Sequence, residues 1–126
     1  MPLVQIEVLK GRSASEKKAL FDAVHDALVA TVKIPEDDRV QRLIEHDKAD
    51  FEAPSAAFTI VRVTMFPGRS DEAKRALYKA IVGALESLGI PRNDVFIVLD
   101  EPPLENWGIR GGTPASEVDL GYELEV

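Results

Sequence analysis

"GRSASEKKALFDAVHDAL" (residues 11–28) and "GRSDEAKRALYKAIVGAL" (residues 68–85) lie over one another without a gap, 57 residues apart. Nine of the eighteen positions are identical: the Gly-Arg-Ser entry, one lysine, three alanines and two leucines. Phe21 meets Tyr78, Val24 meets Ile81 and Lys18 meets Arg75. A little downstream, "IPEDD" (residues 34–38) matches "IPRND" (residues 90–94) at an offset of 56. Two unrelated amphipathic helices share an apolar stripe. They do not also share the same entry and the same exit. The chain is an internal duplication, and a repeat decides the architecture.

Working outward, each copy has the same parts. A strand comes first, over residues 2–9 and 57–65, with Val4, Ile6 and Val8 on one face of the first. Ser13 and Ser70 are good helix N-caps. The helices that follow run about five turns at the i, i+3, i+4, i+7 spacing. Leu20, Val24, Ala27, Leu28 and Thr31 line one face of the first, and Leu77, Ile81, Ala84, Leu85 and Leu88 line one face of the second. Gly89 is placed to close the second helix, and Pro35 and Pro91 forbid continuation. Second strands follow over residues 39–45 and 95–99. The run "VFIVL" is uniformly apolar, which predicts a strand buried on both faces.

Each copy therefore reads β-α-β, with its two strands parallel. The expected fold is α+β in two layers: a four-stranded sheet with both helices on one face, in a single domain over residues 1–126. The repeats occupy residues 2–46 and 57–100, and residues 101–126 form an arm. One layer of helices leaves the other sheet face uncovered, which predicts oligomerisation through it. In the arm, "EVDLGYELEV" alternates in the manner of an edge strand, and Trp107, Ile109, Leu120, Tyr122 and Leu124 argue against disorder. The expectation is an arm that packs on a neighbouring subunit.

The composition excludes several classes. There is no cysteine, so there is no disulfide scaffold, thiolate nucleophile or cysteine metal site. A net charge of -7 argues against tracking a phosphate backbone. No apolar run approaches the roughly 18 residues of a membrane span, and the N-terminus is amphipathic strand rather than signal peptide. A cytoplasmic protein with no nucleic-acid or membrane partner is expected. His25 sits between Asp22 and Asp26, which reads as an exposed helix face, and His46 ends a strand. Two histidines without a spaced carboxylate make no metal site.

Met-Pro opening a strand, Gly-Arg-Ser entering a helix in both copies, and "NWGIRGG" in the arm together resemble the tautomerase superfamily. The resemblance covers the whole chain. It extends to fused, double β-α-β members related to 4-oxalocrotonate tautomerase and to malonate semialdehyde decarboxylase. It implies a homotrimer without cofactor or metal, acting on a small carboxylate. It also implies that Met1 is removed, so that Pro2 becomes a free secondary amine acting as general base or acid. An α-amino group titrates near 7.7–8.0, and burial lowers an amine further, toward working pH. Thr59 stands opposite Pro2 in the second copy, where no chain terminus exists. One site per chain, three per trimer, follows.

The same resemblance assigns the other candidates. Arg69 matches a carboxylate-binding arginine of the fused members, and Arg12 is its counterpart in the first copy. A planar guanidinium fits a carboxylate with two parallel hydrogen bonds. Asp38, in "PEDDR", matches the catalytic aspartate of the decarboxylase branch. Trp107 matches an aromatic pocket wall. Phe66 stands where that branch has the first of two arginines, and Val40 where the unfused enzymes have a second one. Arg110 interrupts the usual Gly-Ile-Gly-Gly. The implied activity is cofactor-free keto–enol tautomerisation of an α-keto or enol acid. The alternatives are decarboxylation or hydration through Asp38, or a non-catalytic trimeric binding module. The last holds if Met1 stays, because the Pro2 nitrogen is then an amide.

Overall fold

The computed structural model describes residues 2–126. Met1, and with it the expected loss of that residue, lies outside the described residues. The elements in chain order are β1 (Leu3–Leu9), α1 (Ala14–Val32), β2 (Val40–His46), β3 (Thr59–Thr64), α2 (Asp71–Ser87) and β4 (Val95–Asp100). A short hairpin of β5 (Gly108–Ile109) and β6 (Thr113–Pro114) follows in the arm. The four long strands form one sheet in the order β2-β1-β3-β4. β1 pairs in parallel with β2, β3 pairs in parallel with β4, and β1 and β3 run antiparallel at the seam between the copies.

The alternation in β1 buries Val4, Ile6 and Val8 in one cluster with Leu20, Val24 and Leu28 of α1 and Leu77, Ile81 and Leu85 of α2. Both helices therefore cover the same face. At the helix ends the stripes differ slightly from expectation. Val32 is buried, while Thr31 returns its hydroxyl to the Ala27 carbonyl at 2.7 Å and Leu88 is exposed. The other sheet face is bare. Phe96 is 60% and Val98 39% exposed, so "VFIVL" is not buried on both faces within one chain; β4 is an edge strand covered by helix on one side alone.

The repeat extends to detail. Gly11 and Gly68 take φ of 133° and 125°, a region glycine favours, just before each helix cap. Ser13 accepts from the Glu16 amide and Glu16 answers onto the Ser13 amide, a full capping box. Ser70 accepts from the Ala73 amide, without the reciprocal carboxylate. α2 closes with Gly89 at φ 91°; its amide donates to the Glu86 carbonyl and the Ile90 amide to the Leu85 carbonyl. The equivalent of Gly89 in the first copy is Lys33, held in the left-handed region at φ 59°.

Two further expectations fail. Residues 118–126 form no strand. An Asx-type turn, with the Gly121 amide on Asp119 Oδ1 at 3.0 Å and Gly121 at φ 80°, breaks the extension. The alternation instead points Leu120, Tyr122 and Leu124 at the chain's own Phe66 and Trp107. The other failure is His25, which is 2% exposed, not on an open helix face. Its ring donates through Nε2 to the Glu36 carbonyl at 2.9 Å, which satisfies it in the core.

Candidate active site at one end of the sheet

The strand directions determine what meets where. β1 and β2 begin at the end of the sheet where β3 and β4 finish. Pro2 is buried there, one residue before Leu3, whose partners are Val40 and Thr64. The turn after α1, carrying Asp38, and the loop after β3, carrying Phe66 and Arg69, arrive at the same end. The arm folds over it. The opposite end collects the counterparts: Arg12, Thr59 and Asp94.

A cavity of about 360 Å³ opens between these parts. Its walls are Pro35, Asp37 and Asp38 from the turn, Phe66, and Ile109, Arg110, Leu120 and Tyr122 from the arm. Phe66 meets Trp107 edge-on, with centroids 4.8 Å apart, so the tryptophan backs the cavity rather than lining it. Trp107 is itself fixed by its indole N–H on the Pro102 carbonyl at 3.1 Å.

Arg69 is 6% exposed. One terminal nitrogen donates to the Phe66 carbonyl at 2.8 Å and the other to the Val32 carbonyl at 3.4 Å, while Nε has no partner among the described residues. A buried guanidinium with a donor left over favours an anion beside it. The guanidinium also donates to the Tyr122 phenol. Burial pushes that phenol above its ordinary value, and the nearby Asp38 carboxylate adds to the rise. The Arg69 charge and hydrogen bond pull the other way. Tyr122, in the cavity wall beside Asp38, thus feels both that carboxylate and the buried Arg69 charge.

The structure brings Asp38, Phe66, Arg69 and Trp107 together, with Pro2 buried at the same sheet end. It does not bring Arg12 there. Arg12 lies at the far end, beside a hollow of about 70 Å³ that it shares with Glu16, Leu88 and Ile90. Arg110 takes φ 49°, an uncommon conformation for a residue with a side chain, and donates to the Asp119 carbonyl at 3.1 Å. Tyr122 is the site residue the sequence reading missed. Its spacing from Trp107 carries no repeat or motif. The one signal was its membership of the alternating tail. Among the described residues no group of three or more His, Asp or Glu is placed to hold a metal. No described helix is long and apolar enough to cross a membrane.

Comparison with known proteins gives consistent results. A family profile described as tautomerase enzyme matches residues 38–110, and a second tautomerase profile matches residues 2–52. The chain is 31% identical over 121 residues to the probable tautomerase YusQ of Bacillus subtilis, covering 89% of this chain and 95% of that one. It is 34% identical to the FG41 malonate semialdehyde decarboxylase crystallised with 3-bromopropiolate, with a TM-score of 0.79 over 89% of this chain and 92% of that chain. A fused 4-OT, solved as a symmetric trimer, matches at 30% identity and a TM-score of 0.82, covering 90% and 96%.

Proposed function

This chain belongs to the tautomerase family, and from that premise we propose that it is a cofactor-free keto–enol tautomerase of a small α-keto or enol carboxylic acid. Removal of Met1 frees the Pro2 nitrogen. That nitrogen takes the proton from the enol hydroxyl and returns it at carbon, or runs the reverse. Arg69 holds the substrate carboxylate, and its charge stabilises the enolate that develops between the two transfers. Phe66, backed by Trp107, gives the cavity an apolar wall on that side, where a nearby charge acts more strongly than in water. The protein works as a homotrimer with one site per chain; the trimer is supported by the fused 4-OT neighbour, itself solved as a symmetric trimer.

The observation that supports this most is the cavity at the sheet end where β1 begins, lined by Asp38 and Tyr122, with the buried Arg69 reaching Tyr122 from behind. The test is ketonisation of phenylenolpyruvate or 2-hydroxymuconate, followed by absorbance. Acceleration over buffer that falls in Pro2→Ala, which keeps only a primary and less rigidly held amine, supports the proposal. Rates equal to buffer for both substrates contradict it.

A second reading has its own support, because Asp38 lines the cavity and the decarboxylase neighbour is 34% identical. Here Asp38 and a protonated Pro2 decarboxylate a β-keto acid or hydrate an unsaturated acid. Asp38→Asn separates the two: it abolishes decarboxylation or hydration and only dents tautomerisation.

A further inference from the structure

The turn that carries Asp38 is held to α1 by three side-chain contacts. His25 Nε2 donates to the Glu36 carbonyl at 2.9 Å. Arg39 donates to Asp22 Oδ1 at 2.9 Å. Gln41 Nε2 donates to the Phe21 carbonyl at 2.8 Å. Phe21, Asp22 and His25 lie on consecutive turns of one side of α1, and Glu36, Arg39 and Gln41 span the run from the turn into β2.

The second copy supplies an internal control. Its turn has the same backbone: the Asp94 amide donates to the Pro91 carbonyl at 2.9 Å, as the Asp38 amide does to Pro35 at 3.1 Å. Yet its residues at the clamp positions are Lys79 for Asp22, Val82 for His25, Arg92 for Glu36, Val95 for Arg39 and Ile97 for Gln41. The second turn forms without these three contacts; among the described residues its side-chain tie to α2 is a single exposed ion pair, Arg92 to Glu86 Oε1 at 3.2 Å. The clamp is therefore not needed to make the turn, and it exists only in the copy whose turn faces the large cavity. His25 is 2% exposed, and its hydrogen bond to the Glu36 carbonyl offsets the cost of burying it, so the ring joins the turn to α1 at a point where the second copy has only an apolar contact to offer.

We propose that His25, supported by Asp22, is a positioning residue that fixes the Asp38 turn against the cavity. The inference rests on the reading of Asp38 as a site group. Proton transfer is sensitive to placement, and a shift of about 1 Å in a reacting group can cost on the order of 10²-fold.

The test uses His25→Val, which installs the residue the second copy already tolerates, and His25→Gln, whose amide keeps a donor for the Glu36 carbonyl. Two readouts are taken. Amide hydrogen exchange at residues 36–39 reports the clamp. Turnover of phenylenolpyruvate and of malonate semialdehyde reports its effect, in wild-type and Asp38→Asn backgrounds. Expected are exchange at the turn about tenfold faster in His25→Val, and kcat about tenfold lower with KM changed less than about twofold. His25→Gln restores both, and His25→Val adds no further loss to Asp38→Asn, because the two act as one unit. Unchanged exchange overturns the clamp. Equal losses in both backgrounds overturn its action through Asp38. If the wild-type protein turns over neither substrate, the functional reading fails with the catalytic half of this proposal, and exchange alone then decides the clamp.

Discussion

Lys17 reaches Glu45 at 2.7 Å in the first copy, and Lys74 reaches Glu101 at 2.6 Å in the second. The same helix position grips the residue at or just past the end of the same strand, twice. The pre-helix glycines, the serine caps and the proline turns also repeat. Several residues at and behind the cavity do not repeat. Pro2 faces Thr59 across the duplication, Phe66 faces Leu9, Asp22 faces Lys79 and His25 faces Val82. The arm lies over one end only. The outcome is a cavity of about 360 Å³ at one end against about 70 Å³ at the other. Asp38 and Arg69 keep identical counterparts in Asp94 and Arg12, so what sets the two ends apart is the free strand start at Pro2, the arm, and the divergent residues packed around them.

The sharpest way to break the comparison is to mutate matched positions. Pro2→Ala exchanges the proposed secondary amine for a primary one without the ring that fixes it, and should lower kcat/KM by about 10²-fold through misplacement of the base. Thr59→Ala, its counterpart, should leave kcat/KM unchanged. That variant should cost about 1 kcal/mol of stability, since the buried Thr59 hydroxyl donates to the Ala57 carbonyl at 2.9 Å. Steady-state kinetics and urea unfolding check the pair together.

The arginines come next. Arg69→Met should cost about 10²-fold in kcat/KM through loss of the charge facing the carboxylate. It should also destabilise, because the Phe66 and Val32 carbonyls lose their donor. Arg12→Met should change kcat/KM by less than about twofold. Comparable losses in both variants would show that the far end contributes to the site.

The duplicated ion pairs should fail at opposite ends of the pH scale. Lys17 holds the Glu45 carboxyl below its ordinary 4.5, so that contribution is present above 4.5 and fades as pH falls below it. Glu101 holds the Lys74 ammonium above its ordinary 10.5, so that contribution is complete below 10.5 and fades as pH rises beyond it. Tyr122, raised above 10.0 by burial, adds to the alkaline loss in the same direction. Urea midpoints across pH should lose part of the acid-side slope in Glu45→Gln and part of the alkaline slope in Lys74→Met.

The smallest expected effect concerns the helix ends. Lys33 occupies the left-handed conformation that Gly89 fills in the second copy. Lys33→Gly should relieve about 1 kcal/mol of backbone strain, set against the lost Lys33 Nζ bond to the Ala30 carbonyl at 2.7 Å. The net gain should raise the thermal midpoint by a few degrees.

The duplication made most of the fold legible. Shared entries and exits located both helices, the caps and the parallel pairs within a residue or two. The arm was harder. Its alternation was real, but Leu120, Tyr122 and Leu124 answer to an aromatic cluster formed by Phe66 and Trp107 rather than to a neighbouring strand. His25 misled because charged neighbours in sequence do not report which way a helix position faces. The candidate site was visible only through Met-Pro, Gly-Arg-Ser and the Trp-Gly-Ile run. Tyr122 belongs to no motif and emerged only once the tail was seen folded over Arg69.

The central claim is that chemistry resides at the end of the sheet where Pro2 supplies a free amine. Intact mass of the native, untagged protein tests it most directly. A mass lower than the full sequence by one methionine residue is the predicted result. A mass that retains Met1 makes the Pro2 nitrogen an amide and contradicts the proposed base.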